Sequence, residues 1–94
     1  MVVETVITGY SSTPEETDDT PFITASGTGV RPGIVAANFL PFGAKIRVPK
    51  LFGDRVFIVE DRMHPKNDGK IDIWFSSKEE ALNFGVRVAE VEIF

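Results

Sequence analysis

Cysteine is absent from the 94 residues, which excludes a disulfide scaffold, thiolate zinc sites and thiol catalysis in one step. Histidine occurs once, at His64, so a metal would have to be held by carboxylates alone. No apolar run approaches the roughly 18 residues that a membrane span needs. Bases are few: 10 Lys and Arg stand against 14 Asp and Glu, for a net charge of -4. A nucleic-acid binder needs clustered Lys and Arg to neutralise phosphates and is normally basic. A glycine-rich phosphate loop, a zinc-protease helix and a G-x-S-x-G elbow are also missing, which removes most enzyme classes with a local signature. The opening Met1-Val2-Val3-Glu4 has no basic region ahead of an apolar stretch and does not read as a signal peptide.

What is present is an ordinary globular composition, 43% hydrophobic with 8 Phe, in a length that fits one domain over residues 1–94. A chain this short without covalent staples depends on its core, because it buries only about 60 to 65% of its unfolded surface. The charge is unevenly spread. Residues 1–30 hold Glu4, Glu15, Glu16, Asp18 and Asp19 with no base, and the rest of the chain, with nine acids and ten bases, is close to neutral. The acidic stretch reads as a solvated loop.

Period-2 alternation predicts a strand over residues 2–10, with Val3, Thr5, Ile7 and Gly9 on one face. Thr13-Pro14-Glu15-Glu16 has capping-box spacing with Pro at the first helical position, enough for one helical turn or a capped loop. Further strands are predicted over 21–25, 34–37, 44–48, 55–60, 71–75 and 86–94, with Pro49 ending the fourth of these seven runs. Ile34 to Ala37 is apolar throughout, as suits a strand buried on both faces. One helix is predicted, over about residues 77–84, where Ser77-Lys78-Glu79-Glu80 is a second capping box and Gly85 a stop. Phe42-Gly43-Ala44-Lys45-Ile46 is echoed 42 positions later by Phe84-Gly85-Val86-Arg87-Val88. Both Phe side chains are expected in the core, and the echo suggests two interleaved halves of about three strands. Six or seven short strands with one helix favour a small closed all-β barrel, which leaves no exposed edge.

Among the polar residues, Asp61 and Asp72 stand out. Asp61 ends the apolar run from Val56 to Val59, and Asp72 sits between Ile71 and Ile73-Trp74-Phe75. A carboxyl flanked by large apolar groups is desolvated, which raises its pKa and suits it to general acid work, as in glycosidic-bond cleavage. The bland alternative is that an Asp at a strand end caps a turn or pairs with a neighbouring base, here Arg62. Tyr10 and Trp74 could stack on a sugar ring or fill the core.

In the order Thr8-Gly9-Tyr10, Thr24-Ala25-Ser26-Gly27, Val35-Ala36-Ala37 leading to Leu40-Pro41-Phe42-Gly43, Val59-Glu60-Asp61-Arg62, Ile71-Asp72-Ile73 with Phe75, and Ala81-Leu82-Asn83-Phe84-Gly85, the chain resembles the three-aspartate (3D) domain over nearly its whole length. That family is related to the C-terminal part of MltA-type lytic transglycosylases and, less closely, to RlpA-like domains and expansins. The resemblance implies a six-stranded double-psi β-barrel with pseudo-two-fold symmetry. It also implies cleavage of peptidoglycan glycan strands to a 1,6-anhydro-muramic end, with no metal or organic cofactor, outside the cytoplasm; a monomer is expected. Asp72 is then the acid/base and Asp61 the second aspartate of the cleft, with Tyr10, Thr24, Ser26, Asn38 and Arg62 as the substrate-contacting set.

The chain departs from the family pattern in three places. The stretch Ala36-Ala37-Asn38-Phe39 has no acid where the family's first aspartate falls, Ala44 replaces the usual Thr, and Arg62-Met63-His64 follows Asp61 where Thr-Gly-Gly is common. Two functional readings follow: a lytic transglycosylase working on Asp72 and Asp61, or a barrel that binds glycan without cutting it.

Overall fold

A computed structural model describes residues 1–12 and 22–94. Six strands form a closed ring: β1 (Val2–Tyr10), β2 (Ile34–Ala36), β3 (Lys45–Arg47), β4 (Val56–Asp61), β5 (Ile71–Trp74) and β6 (Arg87–Ile93), in the spatial order β1-β5-β2-β4-β3-β6. The fold is a small all-β barrel. β1 runs parallel to β5 and β2 parallel to β4, and the other four pairings are antiparallel. Raising each strand number by three returns the same ring with the same senses. The first three strands and the last three are therefore interleaved halves related by a pseudo-two-fold arrangement of pairings.

Alternation fills the inside. Ile7, Val35, Ile46, Phe57, Val59, Ile71, Ile73, Ala89 and Val91 are all buried and form one cluster. β2 is buried on both faces, as its unbroken apolar run requires. Aromatic rings extend this core. The Phe52 ring meets Phe57 edge-on at 5.1 Å and stacks on Phe84 at 5.9 Å, and Phe84 meets Phe75 at 5.3 Å.

The helix α2 (Lys78–Phe84) forms where its capping box lies, with the Ser77 hydroxyl accepting the Glu80 N–H at 3.1 Å. It packs against β1, and the close approach depends on Gly9: a Cβ there would lie 2.7 Å from Phe75 Cε2 and 3.3 Å from the Ala81 carbonyl oxygen. A second, shorter helix, α1 (Pro49–Phe52), precedes β4, so Pro49 ends one element and opens another at its first position. It carries Phe52 onto Phe57 and Phe84. Residues 65–67 form one 3-10 turn capped by the His64 side chain.

Some expectations change. Residues 22–25 form no strand; only an isolated bridge joins Ile23 to Gly29. Phe42 is 44% exposed, under the Arg62 guanidinium, whereas Phe84 packs on the core. Gly43 and Gly85 both have positive φ, yet Ile46 is buried and Val88 is 64% exposed. The two-fold relation thus lives in the strand pairings, and the five-residue echo does not give equivalent side-chain environments. The capping box at Thr13 and the acids Glu15 to Asp19 lie outside the described residues. Among the described residues no helix is long and apolar enough to cross a membrane.

Candidate functional site

Four adjacent strands carry a row of facing residues. Thr8 on β1 pairs with Asp72 on β5, Asp72 with Ala36 on β2, and Ala36 with Asp61 on β4. Facing residues share one face of a sheet. Because Ile7, Val35, Val59, Ile71 and Ile73 point inward, the row lies on the outer face of the barrel. The two aspartates flank one alanine, so two strand spacings separate their backbones, or about 10 Å.

Asp61 reaches that face through an irregularity in the ladder. Val35 pairs with Val59, but the next residue of β2, Ala36, pairs with Asp61, so Glu60 is an extra residue in β4. Without it, strict alternation would turn Asp61 inward with Val59. A bulge that re-aims a side chain in this way is a common device beside functional sites.

The Asp61 carboxylate accepts three hydrogen bonds. Oδ2 takes the Tyr10 hydroxyl at 2.8 Å, and Oδ1 takes the backbone N–H groups of Ala25 and Arg62, each at 2.9 Å. Asp72 accepts the Thr8 hydroxyl at Oδ1, 2.9 Å away. Tyr10 lies on the same outer face, two residues beyond Thr8, and reaches across the row to Asp61. Burial, then the Asp61 charge and hydrogen bond, then the Asp72 charge push its phenol well above the usual range, so it stays protonated and donates. That both carboxylates act on this one phenol agrees with their position around Ala36.

Behind Asp61 the loop 22–31 is tied down. Thr24 is buried, and its hydroxyl contacts those of Ser26 at 2.9 Å and Thr28 at 2.7 Å. Thr28 donates to Glu60 Oε1 at 2.5 Å, and Arg31 forms an ion pair with the same carboxylate. The Ser26 N–H donates to the Glu60 carbonyl at 3.2 Å. Arg31, then Thr28, hold the Glu60 carboxyl below its usual range against the opposing effect of burial. The extra residue of the ladder is therefore also the anchor of the loop.

The sequence-derived residues divide into two groups. Tyr10, Asp61 and Asp72 surround one patch, with Thr24 and Ser26 in the loop that Asp61 holds. Arg62 does not pair with the Asp61 carboxylate through its side chain. Its guanidinium lies 3.8 Å from the centre of the Phe42 ring and donates to the Ala37 carbonyl at 2.7 Å. Asn38 ties the 63–68 connection, accepting the Met63 N–H at 2.8 Å and donating to the Met63 carbonyl at 3.0 Å and to Asp68 at 2.6 Å. Trp74 faces Tyr10 across the β1–β5 ladder on the outer side, half-buried, with its indole N–H on the Ser12 hydroxyl at 2.7 Å.

Thr8, Thr28, Glu60 and Arg31 were not singled out by the sequence. Thr8 and Glu60 stand in the motifs Thr8-Gly9-Tyr10 and Val59-Glu60-Asp61-Arg62 without a role of their own, and nothing local marks Thr28 or Arg31 as partners. A depression of about 150 Å³ lined by Pro32, Phe52, Arg55, Trp74, Phe75 and Glu80 shares Trp74 with this face, but neither aspartate lines it. Among the described residues no group of three or more His, Asp and Glu side chains is placed to hold a metal ion. No family model matches the chain, and no curated protein matches it.

Proposed function

We propose that this protein is a peptidoglycan-active barrel of the double-psi type that cleaves glycan strands as a lytic transglycosylase, with Asp72 as its general acid/base. The observation that carries the reading is the row Thr8–Asp72–Ala36–Asp61 on one outer face, with the Tyr10 hydroxyl on the Asp61 carboxylate. The two parallel pairings and the interleaved ring support the double-psi assignment. A murein substrate implies an extracytoplasmic location.

In the reaction, the Asp72 carboxyl gives its proton to the glycosidic oxygen as the C1–O bond breaks. The sugar's own C6 hydroxyl attacks C1, and the Asp72 carboxylate removes the hydroxyl proton. The products are a free chain end and a 1,6-anhydro ring, and Asp72 ends as it began. No water is consumed, so no second catalytic carboxylate is needed. Asp61, with both oxygens engaged, holds the Tyr10 ring and the loop 22–31 around the glycan. Tyr10 and Trp74, half-buried on this face, offer aromatic surface to a sugar ring.

Binding without turnover is the second reading, and one observation favours it. The position between the two aspartates is Ala36, in the stretch where the resembled family carries an acid. The test is release of anhydro-muropeptides from purified peptidoglycan, with a sacculus pull-down beside it. Release that is lost in Asp72→Asn supports the transglycosylase. Retention on the sacculus with no release by the wild type supports the binding module.

A further inference from the structure

We infer that Thr8 is a positioning residue for Asp72: its hydroxyl fixes the orientation and the protonation equilibrium of the carboxyl from the neighbouring strand. This rests on the reading of Asp72 as the acid/base of the outer-face site. Thr8 and Asp72 are Cα partners in the parallel β1–β5 ladder, so their side chains leave the sheet together, and the Oγ1–Oδ1 distance is 2.9 Å in a part-buried setting. A β-branched side chain on a strand has a restricted χ1, so the hydroxyl is presented at little cost in entropy. The ladder on either side, Ile7 with Ile71 and Gly9 with Ile73, is packed or close-fitted from within, so β1 cannot slide relative to β5 without disturbing the core.

A hydroxyl that donates to a carboxylate favours the charged form and lowers the pKa. Among the described residues, Tyr10 from β1 is a neutral phenol, Ala36 from β2 brings no charge, and Asp61 from β4, beyond Ala36, is a like charge that disfavours ionisation. Lys70, on the approach to β5, turns its Nζ to Asn67 at 3.4 Å. Thr8 thus opposes Asp61 in its effect on the Asp72 carboxyl. The hydroxyl also fixes one oxygen as acceptor and so fixes the direction of the other, as the delivery of a proton to one glycosidic oxygen requires.

The test is a carboxyl NMR titration of Asp72 in the wild type, Thr8→Val and Thr8→Ser, with the pH profile of anhydro-muropeptide release measured on the same samples. Valine keeps the branch and volume and loses the donor; serine keeps the donor. Thr8→Val is expected to raise the Asp72 pKa by about one unit, roughly tenfold in the protonation equilibrium. The alkaline limb of the release profile, which follows loss of the acid proton, moves up with it. Thr8→Ser returns both toward the wild type. An unchanged titration in Thr8→Val, or an equal shift in Thr8→Ser, overturns the inference. Wild-type protein that releases nothing while its titration still responds to Thr8→Val overturns the transglycosylase reading and leaves the Thr8–Asp72 coupling standing.

Discussion

The two aspartates of the outer face are held in different ways, and the difference separates fold from chemistry. Asp61 ties together pieces of chain that the strand ladder does not join: the Tyr10 side chain, the Ala25 amide of the loop and the Arg62 amide beyond β4. Thr8 and Asp72 belong to strands that the ladder has already joined. Removing Asp61 should therefore loosen structure, whereas altering Asp72 should change reactivity on a barrel that stays folded.

The largest expected effect is on turnover. Asp72→Asn keeps the shape and an oxygen to accept from Thr8 but loses the transferable proton. Release of anhydro-muropeptides should fall about a hundredfold or more, with a stability change below about 1 kcal/mol. Activity equal to the wild type would move the acid to Asp61 and erase the contrast.

Asp61→Ala sharpens the contrast from the other side. It leaves a phenol and two backbone N–H groups without their acceptor, at a cost of about 1 to 3 kcal/mol in denaturant unfolding. The same variant removes two of the causes that raise the Tyr10 phenol, so that phenol should titrate at lower pH while burial keeps it above its usual value. The chain has one Tyr, so an ultraviolet titration reads this group directly. A phenol that titrates as in the wild type would show that Asp61 does not hold it.

Tyr10→Phe is the smaller version of the same cut. It removes one hydrogen bond and keeps the ring, for about 1 kcal/mol. If it cost as much as Asp61→Ala, the loop amides would contribute nothing to Asp61's role.

Strand positions were legible in the sequence because alternation and burial share one cause. Residues 2–10 read as β1, and the apolar run at 34–37 as the doubly buried β2. The capping box at Ser77 marked α2 for the same kind of reason, since its partners are three residues apart. What was hidden depends on distant partners or on a residue with two uses. Pro49 was read only as a stop, although proline also suits a helix start, and α1 was missed. Phe42 looked like core by its kind, but its cover is Arg62, and nothing near Phe42 in the chain says so. Asp61 and Asp72 were selectable as carboxylates beside apolar strands, but their sharing of Ala36 follows from ring order and from an extra residue at Glu60. Alternation alone would have turned Asp61 inward.

Glu60 gives the last and smallest effect, on the Asp61 side of the comparison. Its carboxyl titrates below the usual range because Arg31 and Thr28 bond its charged form. A carboxyl with a lower pKa folded than unfolded adds stability at pH values above its unfolded pKa, near 4.3. That contribution is lost as the pH falls from there through the folded value. Arg31 is nearly half-exposed, and solvent screening keeps the contribution modest. As the pH falls below that unfolded value the wild type should lose stability more steeply than Glu60→Gln, and the two curves should run parallel above it. Hydrogen exchange at the Ser26 amide, which donates to the Glu60 carbonyl, should quicken over the same range in the wild type. If acid opens this amide no faster than amides of the inner ladder, the loop 22–31 is held by Asp61 alone, and Glu60 serves only to turn that aspartate outward.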